Sequence, residues 1–134
     1  MKYYMSKILK NVSFDDAISK VTELLKSQGF GIITEIDVKE TMKKKLDVDF
    51  RKYRILGACN PQFAHKALQI EDKIGTMLPC NVIVQMLENG ETEIAAINPV
   101  ASMMGVENPN LEEIAGEIQR RLETVISGMQ NITR

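Results

Sequence analysis

The apolar positions of this chain change their period several times, and each change predicts an element. Residues 2–9 carry Tyr3, Met5, Ile8 and Leu9 as apolar members of a short strand. Ser13 then opens a helix. Asp16 stands three residues on, close to the capping-box pattern but with Asp in place of Glu. Ala17, Ile18, Val21, Leu24 and Leu25 form one helical stripe, and Gly29 ends it with the left-handed backbone other residues resist. Residues 30–38 read as a buried strand. A short helix over 39–46 turns Met42 and Leu46 inward, and residues 50–58 form the next strand, wet at its start through Arg51, Lys52 and Arg54.

Asn60-Pro61 predicts a helix start, with Asn as cap and Pro at the first helical position. This helix runs to Glu71 with Ala64, Ala67 and Leu68 inward, and residues 75–79 are a connection. Residues 81–87 and 92–98 read as strands joined through Glu88-Asn89-Gly90-Glu91. The Asn-Gly pair predicts a type I′ hairpin, which needs positive φ at both central positions. Residues 99–109 read as irregular. Asn110 is then expected to cap a long helix in which Leu111, Ile114, Ala115, Ile118, Leu122, Val125, Ile126 and Met129 keep helical spacing, with Glu112-Glu113 at its positive end. The hairpin demands antiparallel pairing and the two long helices need an apolar surface to cover. An α+β fold follows, with an antiparallel sheet and two long helices on one face.

With 134 residues, 44% of them hydrophobic, the chain has enough material for one cored α+β domain spanning residues 1–134. The net charge of −1 argues against a general nucleic-acid binder, which needs a clustered positive field. Lys43-Lys44-Lys45 reads as a solvated helix face. The absence of tryptophan and the 5% aromatic content argue against base-stacking platforms. No apolar stretch approaches the roughly 20 residues of a membrane span. The opening residues carry no apolar signal segment, so a cytoplasmic, reducing compartment is expected and both cysteines are read as thiols. Nucleic-acid and membrane partners are not expected. Dinucleotide and phosphate-loop glycine motifs are absent.

Two Cys-Asn pairs concentrate the candidate chemistry. Cys59-Asn60 precedes Pro61, Cys80-Asn81 follows Pro79, and the only histidine, His65, lies just beyond the first pair. Cys59 falls where a strand ends and a helix begins, a field that favours a thiolate. Cys80 falls where the next strand begins, so an antiparallel neighbour brings both cysteines to one edge. His65 is a possible base or metal ligand there. Two cysteines and one histidine fall short of a structural zinc set. A copper(I) or haem contact stays open, because soft sulfur suits both. Glu35 and Asp37 share a strand face and are candidate acid–base groups. Asn60 and Asn81 are candidate ligand-orienting amides. The bland reading of each is also available: buried inert thiols, a surface histidine, a wet strand face and a helix cap. Met77, Met86, Met103, Met104 and Met129 read as packing residues.

Three segments resemble one family. They are Gly29-Phe30-Gly31-Ile32-Ile33-Thr34-Glu35-Ile36-Asp37-Val38, then Asp49-Phe50-Arg51-Lys52-Tyr53-Arg54-Ile55-Leu56-Gly57-Ala58-Cys59-Asn60-Pro61 with Ala64-His65-Lys66-Ala67-Leu68, and Gly75 with Leu78-Pro79-Cys80-Asn81-Val82. Together they are similar to domain-of-unknown-function family 302, small bacterial and archaeal proteins, over about residues 3–127. The resemblance implies a TATA-binding-protein-like fold in the order strand, helix, four strands, helix, usually as a homodimer, without implying DNA binding. No catalytic residue carries over from it as known, and the cofactor is unknown.

The expected function is a homodimeric binding module with a site for a small ligand, thiol compound or soft metal. Its candidate residues are Glu35, Asp37, Cys59, Asn60, His65, Cys80 and Asn81. One alternative is a thiol-dependent redox protein or enzyme, with Cys59 as thiolate, Cys80 as resolving partner and His65 or Glu35 as proton acceptor. Another is a structural or regulatory dimer without a small-molecule site.

Overall fold

The computed structural model describes residues 2–130. Five strands, β1 (Tyr4–Leu9), β2 (Gly31–Asp37), β3 (Tyr53–Cys59), β4 (Cys80–Met86) and β5 (Thr92–Ile97), form one sheet in the order β1-β5-β4-β3-β2. Every neighbouring pair is antiparallel. The helices are α1 (Phe14–Ser27), α2 (Val38–Leu46), α3 (Pro61–Ile70), the single turn α4 (Pro99–Ser102) and α5 (Pro109–Gly128). The fold is α+β, as the sequence pattern predicts.

Local signals set most boundaries. The Ser13 hydroxyl accepts from the Asp16 amide at 3.0 Å and caps α1. Gly29 follows that helix at φ +88°, a conformation that glycine adopts freely. The 88–91 connection closes differently from the expected type I′ turn. Gly90 donates to the Leu87 carbonyl at 2.9 Å and the Leu87 amide to Glu91 at 2.8 Å. Gly90, at φ +84°, takes the left-handed conformation, whereas Asn89 does not. The loop is thus a three-residue turn with a glycine bulge. The last helix is capped by Asn108 rather than Asn110, because Pro109 suits the first helical position and the Asn108 oxygen accepts from the Asn110 amide at 3.1 Å. The segment expected to be irregular contains α4 and a short 3-10 turn, Met104–Val106. A further 3-10 stretch, Asp72–Met77, precedes the cis Leu78–Pro79 bond.

Alternation along the strands sorts the sheet into two faces. Leu56, Ala58, Cys80, Val82, Val84, Ile94 and Ala96 lie under α1 and α5, joined by Ala17, Val21, Leu25, Ile118, Leu122 and Val125. A smaller cluster of Ala67, Ile74, Met103, Leu111 and Ala115 fills the space between α3, α4 and α5. The other face of the sheet is open. It carries Tyr4, Ser6 and Ile8 from β1, Glu93, Ala95 and Ile97 from β5, and Asn81, Ile83 and Gln85 from β4. β3 adds Tyr53, Ile55 and Gly57, and β2 adds Thr34 and Ile36.

Two expectations of burial fail. β2 is an edge strand with a strand neighbour on one side only, and Ile33 and Ile36 are 60% and 47% exposed. An unbroken apolar run reads as buried, but lateral position in the sheet decides. α2 buries nothing, and Leu46 is exposed. Among the described residues, no helix is long and apolar enough to cross a membrane.

Candidate functional site

The seam between the two core clusters holds a cavity of about 270 Å³. Small side chains create it. Ala58 and Cys80 on the sheet face Ala64 and Ala67 on α3, and Gly75 lies on the connecting 3-10 stretch. Phe30, Phe63, Ile114, Ile118 and Met103 supply the larger walls, while Ile33 and Leu68, 60% and 43% exposed, stand at the rim. No lining residue is charged. An apolar cavity of this kind takes apolar ligand surface and penalises a buried charge.

Three of the expected residues meet here: Cys59, Asn60 and Cys80. Both cysteines are free thiols, Cys59 half-buried and Cys80 buried. Cys80 pairs with Ala58 across β3 and β4, so Cys59, the next residue of β3, lies one position beyond that pair. Burial pushes the Cys80 thiol up to about 11, with the neighbouring Cys59 adding to the rise. Cys80 therefore keeps its proton under ordinary conditions, the opposite of an activated nucleophile.

Asn60 caps α3 by position but not with its side chain. Its Nδ2 donates instead to the Gln28 carbonyl at 3.4 Å, which also accepts from Arg121 Nη1 at 2.9 Å. The Arg121 guanidinium in turn lies 5.1 Å from the centre of the Phe63 ring. This ties the end of α1 to the start of α3 and the middle of α5. Gly29 is needed there, since a Cβ at that position would lie 3.0 Å from Asn60 Nδ2.

The other expected residues lie elsewhere. His65 is exposed on α3 and is not among the cavity residues. Those on α3 are Phe63, Ala64, Ala67 and Leu68, one helical face, and residue 65 turns about 100° away from residue 64. Asn81 follows Cys80 in a strand, so its side chain takes the opposite face and lines a groove of about 400 Å³ on the open sheet. Glu35 and Asp37 are bound to Arg54, at 2.6 Å and 3.5 Å, beside the Phe14 end of α1. Asp37 also caps α2 by accepting from the Glu40 amide at 3.0 Å. Among the described residues, no three His, Cys, Asp or Glu side chains gather as a metal set.

Sequence reasoning missed the apolar walls. Their one legible trace is the run of small residues at 57–59, 64, 67 and 75. Among the methionines, Met129 is buried in the core and Met103 lines the cavity, but Met77 and Met104 are exposed.

A small α+β domain with a one-sided sheet and a seam cavity is the class defined by this geometry. The model of the family "Domain of unknown function DUF302" matches residues 5–129, and the chain belongs to that family. Its structure is similar to the crystal structure of the uncharacterized conserved protein DUF302 from Bacillus stearothermophilus. The TM-score is 0.87 at 30% identity, covering 95% of this chain and 98% of that one. No curated protein matches this chain.

Proposed function

We propose that this protein is a small-ligand binding module whose site is the seam cavity at Cys59, Asn60 and Cys80. The observation that carries the reading is a cavity with an apolar, uncharged lining that includes both cysteines and one asparagine, Asn60. Apolar pockets with a few polar groups are the usual form of small-molecule sites. Thiol-dependent redox chemistry has less support, because burial holds Cys80 protonated. The sulfur-bearing residues a soft metal would use in the lining are Cys59, Cys80 and Met103. The same burial opposes the proton release such binding requires. Two free thiols support residence in a reducing compartment such as the cytoplasm. Setting the short helices aside, the element order supports the TATA-binding-protein-like arrangement.

The test is titration with 1-aminoanthracene, a neutral apolar fluorophore. Enhanced emission is expected with the wild type. It should be lost in Ala64→Phe, which fills the cavity and raises the melting temperature. Unchanged binding by this variant would remove the cavity as the site.

We further propose that two copies associate through the open sheet face. Among the strand residues on that face only Glu93 is charged, and it is engaged by Gln85 at 2.7 Å, which Arg51 holds at 2.8 Å. Ile8 and Ile36 are 49% and 47% exposed there. Strand spacing and rise give a face of about 24 by 20 Å, and burying two such faces removes about 1,000 Å², the threshold for a specific interface. Analytical ultracentrifugation is expected to give a dimer that Ile83→Lys converts to a folded monomer. A monomeric wild type would overturn this second reading.

A further inference from the structure

We infer that the seam cavity selects a neutral, mostly apolar molecule carrying one hydrogen-bond donor, and that Asn60 reads that donor; this rests on the ligand-binding reading above. Among the cavity residues Asn60 is the one with a hydroxyl, amide or charged side chain. The residue as a whole is buried, 8% exposed.

The two ends of that carboxamide have different duties. Nδ2 faces the Gln28 carbonyl, which can only accept, and this fixes the orientation of the group. Oδ1 is therefore the free end. An asparagine at this helix position ordinarily turns its oxygen to a first-turn amide, but here it makes no such bond. Among the described residues, no protein group donates to Oδ1. Oδ1 is not sealed from solvent. A ligand that covers it must supply an N–H or O–H or leave a buried oxygen unpaired, which is costly.

The remaining walls set the rest of the ligand. Their lack of charge excludes an ionised molecule, since nothing offsets its desolvation. The volume of about 270 Å³ lies just under the range of roughly 300–1,000 Å³ for ligand sites, which suits a flat body of up to three fused rings. Phe30 and Phe63 offer aromatic surface to such a body.

Isothermal titration calorimetry with indole and benzofuran tests this on the intact protein. The two bicycles share a shape and differ in an N–H against an ether oxygen. Indole is expected to bind about tenfold more tightly, the effect of one buried hydrogen bond. In Asn60→Leu the ratio should fall to about one while benzofuran binding persists. Should that variant fail to fold, 3-methylindole and 1-methylindole, isomers of which only the first has a donor, make the same comparison on the wild type. Equal affinities within these pairs, or no bicycle binding while 1-aminoanthracene binds, would overturn donor selection and leave the cavity reading standing. Loss of binding for the bicycles and 1-aminoanthracene alike would overturn both.

Discussion

Raising the pH from about 8 to about 11 should destabilise this protein through one identifiable thiol. Cys80 is buried on the core face of β4, and its ionisation is displaced from 9.0 to about 11, chiefly by burial and secondarily by Cys59. Below 9.0 the folded and unfolded chains both hold the proton, so the contribution to stability is complete. Above it the unfolded chain releases the proton and the folded chain does not, so stability is lost progressively until about 11. At 1.36 kcal/mol per pH unit, the loss sums to about 3 kcal/mol, a large share of the 5–15 kcal/mol that ordinarily holds a domain together. The assay is urea denaturation of wild type and Cys80→Val at closely spaced pH values. The two proteins differ at this one position, so the difference between them isolates the buried thiol. The wild type should fall towards the variant, and then relative to it, at about 1.4 kcal/mol per pH unit over this interval. Iodoacetamide at neutral pH should likewise modify Cys80 only after unfolding. Parallel stability curves for the two proteins would refute the burial argument.

Gly57→Ala should destabilise by about 1–3 kcal/mol, because its Cβ would run into Thr34 Oγ1 and lie 2.8 Å from Pro79 Cγ. Combining it with Thr34→Ala should recover only part of the loss, since Pro79 stays, and a double-mutant cycle in urea measures the coupling. Thr92→Val removes the 2.9 Å bond to the buried Val12 carbonyl. It should cost about 1–3 kcal/mol in chemical denaturation. Glu35→Gln with Asp37→Asn breaks part-exposed pairs with Arg54. That double variant should change stability by about 1 kcal/mol or less and leave 1-aminoanthracene affinity unchanged; a weakened affinity would return these carboxylates to the site.

Element type was legible wherever the signal was local. Ser13 and Asp16 marked the start of α1, Gly29 its end, and the stripe from Leu111 to Met129 the apolar face of α5, because caps and helical periodicity act within a few residues. The Asn89-Gly90 hairpin was legible as a hairpin but not as a turn type, since the pairing of Leu87 with Gly90 and Glu91 decides which residue takes positive φ. Burial was less legible: the same apolar run is core in the middle of a sheet and exposed at its edge, and β2 lies at the edge.

The candidate site divides along the same line. By itself the sequence determined that two thiols and two amides cluster around a strand–helix corner, with small residues beside them. Tertiary structure alone decided which of them meet. Strand alternation sent Cys80 to the cavity and Asn81 to the open sheet, helix rotation turned His65 away from it, and Arg54 drew Glu35 and Asp37 to the far end of α1. The cavity itself arises where two core clusters meet without filling the space between them. A void of that kind depends on how side chains distant in sequence pack together, and no local pattern encodes it.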